Sequence, residues 1–86
     1  MYEVYFTKKS EKELSKILRH DKIKILDKIS KLTFPFPGSL DVTKIRGVQG
    51  FYRLRSGKTR TIIEVDQSKK EIWIRKVGYR GQIYKH

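Results

Sequence analysis

The sequence predicts an α+β domain built from an N-terminal strand, an antiparallel two-helix hairpin and a C-terminal antiparallel β-meander. Three observations predict it. β-forming residues open the chain and give way at Thr7 to apolar residues at helical spacing. That spacing stops at Phe34-Pro35-Phe36-Pro37-Gly38. From about residue 50 onward, β-rich runs are separated by short turn sequences, and connections that short make neighbouring strands antiparallel. With 86 residues and no repeat, linker or low-complexity tract, residues 1–86 form a single domain.

Each element has its own signal. Residues 1–6 read as a strand, with Tyr2, Val4 and Phe6 on one face and Tyr5 on the other. A first amphipathic helix follows, with Ser10 and Glu13 at capping-box spacing, Thr7 as another possible cap, and Leu14, Ile17 and Leu18 as its apolar stripe. The register breaks at His20-Asp21, where Asp21 is the candidate N-cap. Ile25, Leu26, Ile29 and Leu32 then form a second stripe that runs to about Lys31 or Leu32. The two prolines end that helix, and a connector runs to about Lys44. Strands are expected at 50–55, 59–66, 71–77 and 82–85, with turns at Ser56-Gly57, Asp66 to Lys69 and Gly78 to Gly81. The helices should cover one sheet face and leave the other open.

The expected function follows from charge. Lys and Arg number 21 against 9 Asp and Glu, a formal net charge of +12. Residues 44–86 carry 12 basic and 3 acidic side chains, so the excess lies in the C-terminal half. Arg53 and Arg55, two apart on a strand, share one face while Tyr52 and Leu54 take the other, which makes Tyr52 a core candidate. A turn at Ser56-Gly57-Lys58 returns Arg60 beside Arg55, with no acid in sequence between Phe51 and Ile63. Three converging guanidiniums call for a bound anion, although arginines on a strand also serve as a plain solvated face. Nucleic acid, an anionic membrane surface and an acidic protein all fit the charge.

Other classes recede. No run approaches the roughly 18 to 20 apolar residues of a membrane span, and a soluble cytoplasmic protein is the expectation. Cysteine is absent, which removes disulfides, thiolate metal sites and a Cys nucleophile. His20 and His86 have no carboxylate at orienting distance in sequence, no His-x-x-x-His or acidic cluster exists, and neither a metal nor a cofactor is expected. Trp73 alternates with Ile72 and Ile74, so its face is left open.

The element order, with Ile45-Arg46-Gly47, Gly50-Phe51-Tyr52-Arg53-Leu54-Arg55-Ser56-Gly57 and Arg60, then Lys76-Val77-Gly78-Tyr79-Arg80 and a closing Ile83-Tyr84, resembles the RelE/ParE toxin superfamily over essentially the whole chain. The Val-Gly-Tyr-Arg run with a tyrosine four residues on is more similar to the RelE branch than to the ParE branch. The resemblance implies a RelE-like fold and a toxin of a type II toxin–antitoxin system that cleaves mRNA on the ribosome without a metal, through attack by the RNA's own 2′-hydroxyl. The ParE alternative is a gyrase inhibitor acting by protein binding, and a non-catalytic basic RNA-binding module is a third reading. Implied around the scissile phosphate are Arg53, Arg55, Arg60, Arg80 and Tyr84, with Arg46, Lys58, Arg75, Lys76 and Lys85 as RNA-binding residues.

The chemistry suits that set. Guanidiniums are permanently charged and pair with phosphate oxygens, and Tyr84 can stack on a base or orient the 2′-hydroxyl. Several relatives have lysines where this chain has Arg53 and Arg55, and arginine does not give up its proton, so charge stabilisation is the role expected of Arg55. Thr59 stands where relatives often have an aromatic residue, a change in packing. Implied partners are an acidic antitoxin, mRNA in the ribosomal A site, and ribosomal RNA.

Overall fold

The structure is a computed structural model describing residues 1–83, the last two by backbone alone. Strands β1 (Glu3–Phe6), β2 (Asp41–Lys44), β3 (Phe51–Ser56), β4 (Thr59–Asp66) and β5 (Glu71–Tyr79) form one sheet in the order β1-β5-β4-β3-β2. Helices α1 (Lys8–Ser15) and α2 (Arg19–Ile29) lie between β1 and β2, and a short helix α3 (Arg80–Ile83) follows β5. The N-terminal strand, the two helices and the antiparallel β3-β4-β5 meander are therefore as expected. β1 joins β5 in parallel, which a connection passing through both helices permits. No helix among the described residues is long and apolar enough to cross a membrane.

Side-chain alternation divides the sheet into two faces. Leu54, Ile63, Val65, Ile72, Ile74 and Val77 point to the helices and pack with Ile17, Ile25, Ile29, Leu32 and Leu40. Each such side chain contributes about 2 kcal/mol by leaving water. Tyr52 packs against this core with Phe34 and Phe36, at ring-centroid distances of 6.2 and 4.8 Å. Thr7 proves to be the cap of α1, its Oγ1 accepting from the Ser10 amide at 3.0 Å, while Ser10 itself is buried inside the helix. At the far end of α1, the Glu13 carboxylate accepts from the Val77 amide at 2.9 Å, beyond the part of β5 that β1 covers.

Several expectations need correction. Helix α1 ends at Ser15, so Ile17 and Leu18 lie in the connector, Ile17 buried and Leu18 62% exposed. Asp21 is not the cap of α2. That position is Leu18, which offers no side-chain bond, and Asp21 sits buried in the first turn, where its carboxylate accepts from the Tyr79 hydroxyl. α2 stops at Ile29, short of Lys31. The expected connector contains β2, a four-residue edge strand with one half-buried apolar side chain, too short and too polar to carry a periodic signal. No turn forms at Gly78: β5 continues through it, paired with Arg60, to Tyr79. The expected strand at 82–85 is helical at Gln82 and Ile83, while Tyr84, Lys85 and His86 lie outside the described residues.

Candidate functional site

The face away from the helices is organised in cross-strand rows that the registers define. At one end Glu3, Glu71 and Asp66 are neighbours across three strands. Next come Tyr5, Trp73, Glu64 and Phe51, then Lys76, Ile62, Arg53 and Thr43, and finally Gly78, Arg60, Arg55 and Asp41. The sheet thus runs from an acidic row to a cationic one. Trp73, whose face the sequence left open, lies on this side, stacked on Tyr5 at 5.1 Å with its Nε1 donating to Glu71 at 3.0 Å.

The cationic end forms a depression of about 350 Å³ lined by Asp41, Thr43, Arg53, Arg55, Arg60 and Arg80. Four of the five expected catalytic positions are therefore brought together, and Tyr84 lies outside the described residues. The hairpin is responsible for the first three. Gly57 takes φ of +58°, a conformation that glycine adopts without the steric cost other residues meet, and the turn sets Arg60 directly opposite Arg55. A second glycine fixes the other end of β3: Gly50 has φ of +84°, and a Cβ there would meet the Val65 carbonyl at 3.3 Å.

The four guanidiniums differ in environment. Arg60 is buried at 7% exposure, and its Nη1 donates to the carbonyls of Gly57 and Thr59 at 2.8 and 2.9 Å. Arg80 stands exposed at the start of α3, its backbone N–H donating to the Lys58 carbonyl at 3.0 Å. Arg55 is ion-paired, Nε to the Asp41 carboxylate at 2.6 Å. This corrects the expectation of an uncompensated cluster: the acid absent from residues 51–63 arrives from β2. Asp41 and Thr43 are the site residues that sequence reasoning missed, because the strand carrying them was unrecognised. An acid two residues before Thr43 in an alternating Asp-Val-Thr-Lys run was the only available signal.

The remaining expected RNA-binding residues are dispersed. Lys58 is at the exposed hairpin tip, and Lys76 is in the row beside Arg53 and Ile62. Arg75 occupies the bulge in β5, bonded to Glu64 and 5.7 Å from the Trp73 ring centroid. Arg46 lies in the β2–β3 loop beside a separate depression lined by residues 44–49, and Lys85 is outside the described residues. Thr59 is fully buried, and its hydroxyl donates to the Ser56 carbonyl across the turn at 2.7 Å. His20, for which the sequence offered no carboxylate at orienting distance, proves to lie 3.4 Å from that of Asp21, but it is exposed on α2 and does not line the arginine depression. Chemically, the depression offers permanent cations in forked geometry with one carboxylate, a set suited to a phosphate and to charge gained by it.

The sequence matches no family model and no curated protein at a significant level. Solved structures are similar over nearly the full length. One is a chain of the RelB–RelE antitoxin–toxin complex from Methanococcus jannaschii, 30% identical, covering 93% of this chain and 94% of that one, with a TM-score of 0.78. Another belongs to the RelE–RelB complex from Pyrococcus horikoshii, also 30% identical with a TM-score of 0.78, covering 94% and 97%. The isolated RelE toxin of E. coli, at 20% identity, shares the fold with a TM-score of 0.78, covering 98% and 92%.

Proposed function

The chain belongs to the RelE family of toxins, and from that premise we propose that it is a ribosome-dependent mRNA endoribonuclease that inhibits translation. The observation that carries this reading is the convergence of Arg53, Arg55, Arg60 and Arg80 in one depression on the face the helices leave open. Cleavage by the neighbouring 2′-hydroxyl places an extra negative charge on a pentacovalent phosphate. Preorganised guanidiniums stabilise that charge more than they stabilise the ground state. Arginine keeps its proton, so none of the four removes the proton from the 2′-hydroxyl; their work is binding, orientation and charge stabilisation.

Arg80 is the sharpest test of this reading. Losing one donor of this kind costs about 3 kcal/mol, on the order of a hundredfold in rate, while an exposed arginine contributes little to folding. Arg80→Ala should therefore lose toxicity and single-turnover cleavage on programmed ribosomes without a lower melting temperature. Cleavage at the wild-type rate would remove Arg80 from the site. Growth arrest beside unchanged mRNA 5′ ends would overturn the nuclease reading altogether.

The partner in the cell is an acidic antitoxin that covers the cationic face. Two things support it: the net charge of +12, and the occurrence of the similar archaeal chains in complexes with RelB. Binding weaker than micromolar to an acidic product encoded beside this chain would count against it.

A further inference from the structure

The Tyr79 hydroxyl, far from the arginines in chemistry, sits one residue from Arg80 in sequence. Tyr79 ends β5 opposite Thr59, on the helix side of the sheet, whereas Gly78 before it pairs with Arg60 on the arginine side. Its hydroxyl accepts from the Leu18 amide at 3.1 Å and donates to Asp21 Oδ2 at 3.0 Å. One hydroxyl thus joins the start of α2, a helix without a side-chain cap of its own, to the last residue of the strand.

The residues on either side of Arg80 lend it little support of their own. Gly78 brings no side chain, and α3 has four residues, too few to be stable alone. The β4–β5 ladder holds the strand as far as Tyr79, opposite Thr59; added to it are the bond from the Arg80 amide to the Lys58 carbonyl and the Tyr79 side chain on α2. Tyr79 is the last residue of β5 and Arg80 the first of α3, so holding Tyr79 against α2 fixes the point from which the backbone turns to carry Arg80 into the lining of the depression.

We propose that Tyr79 and Asp21 are positioning residues that latch the end of β5 to α2 and thereby aim Arg80 at the phosphate. The role assigned to Arg80 rests on the nuclease reading; the latch itself does not. A misplacement of about 1 Å in a positioned group costs up to about a hundredfold in rate, so loss of the latch should be visible in cleavage.

Tyr79→Phe keeps the ring and removes the hydroxyl. Single-turnover cleavage at saturating programmed ribosomes should fall about tenfold or more, with the concentration of half-saturation unchanged. Asp21→Ala should match it. Asp21→Asn, which retains an oxygen acceptor for the tyrosine, should stay near wild type, and the Tyr79→Phe/Asp21→Ala double variant should be no slower than either single one. In parallel, amide hydrogen exchange should accelerate at Arg80 in Tyr79→Phe relative to Ile63 and Ile74 in the core. Wild-type cleavage by Tyr79→Phe, even with a lower melting temperature, overturns the proposal, as does slower cleavage without faster exchange at Arg80. If the native chain cuts no ribosome-bound mRNA, the nuclease reading fails separately and the exchange experiment alone decides the latch: faster exchange at Arg80 upholds it and unchanged exchange removes it. Should Tyr79→Phe fail to fold, Asp21→Ala carries the same measurements.

Discussion

Arg60 and Arg80 line the same depression, yet Arg60 is 7% exposed with two carbonyls on its Nη1, and Arg80 is a surface side chain. Removing a buried charged donor leaves its acceptors unpaired, at a cost of about 2 kcal/mol. Arg60→Ala should therefore melt about 10 °C below the wild type, while Arg80→Ala should not, and thermal melts of the two variants side by side check the contrast. Asp41 makes a different prediction. Its pair with Arg55 is half exposed on both sides, 59% and 47%, and a pair of that kind is worth no more than about 1 kcal/mol to the fold. Asp41→Asn should leave stability almost unchanged and tighten binding of a short RNA at low salt, read by fluorescence anisotropy. Unaltered affinity would mean that Arg55 already reaches the phosphate with Asp41 in place.

At the scale of elements, what was legible depended on length and period. The β3–β4 hairpin could be read because Tyr52-Arg53-Leu54-Arg55 alternates cleanly and Gly57 marks the turn, so the arginine face came with the strand. β2 was not, since Asp41–Lys44 is stabilised by pairing along β3 rather than by its own pattern, and Asp41 and Thr43 went unseen with it. The end of β5 misled for the opposite reason: Gly78 signals a turn locally, but pairing with β4 keeps it in the strand. Asp21 has the chemistry of a cap and is drawn instead to a hydroxyl 58 residues away, which no local signal records. The β4–β5 turn yields a prediction of its own. The Asp66 carboxyl is held below its ordinary value of 3.8, first by the Ser68 hydroxyl and then by the Lys69 amide. A carboxyl with a lowered folded pKa stabilises above its unfolded value and loses that contribution as pH falls through the folded one. Asp66→Ala should melt below the wild type at neutral pH, with the gap closing as the pH drops below 3.8; a gap independent of pH would assign the effect to something other than the carboxylate.

For the whole molecule, the open sheet face is polarised. Glu3, Glu71 and Asp66 form one end, offset in part by Lys69 and Lys70 in the turn, and the arginine depression forms the other. Only the cationic end attracts a phosphate chain, so the binding of single-stranded RNA should depend on salt to a limited extent. A plot of log affinity against log salt is expected to slope between about −2 and −3, the value for three or four neutralised phosphates. A much steeper slope would mean that the lysines of α1 and α2 also take up the strand. Between the two ends sits Trp73, the single tryptophan of the chain, with Tyr5 against one side and the Arg75 guanidinium 5.7 Å away. The molecule therefore carries its own optical reporter, two rows from Arg60 and outside the apolar core. A ligand settling on the open face alters the indole's surroundings directly, while one confined to the helical side does not. Intrinsic emission can thus distinguish, without a label, which side of the sheet a partner has reached.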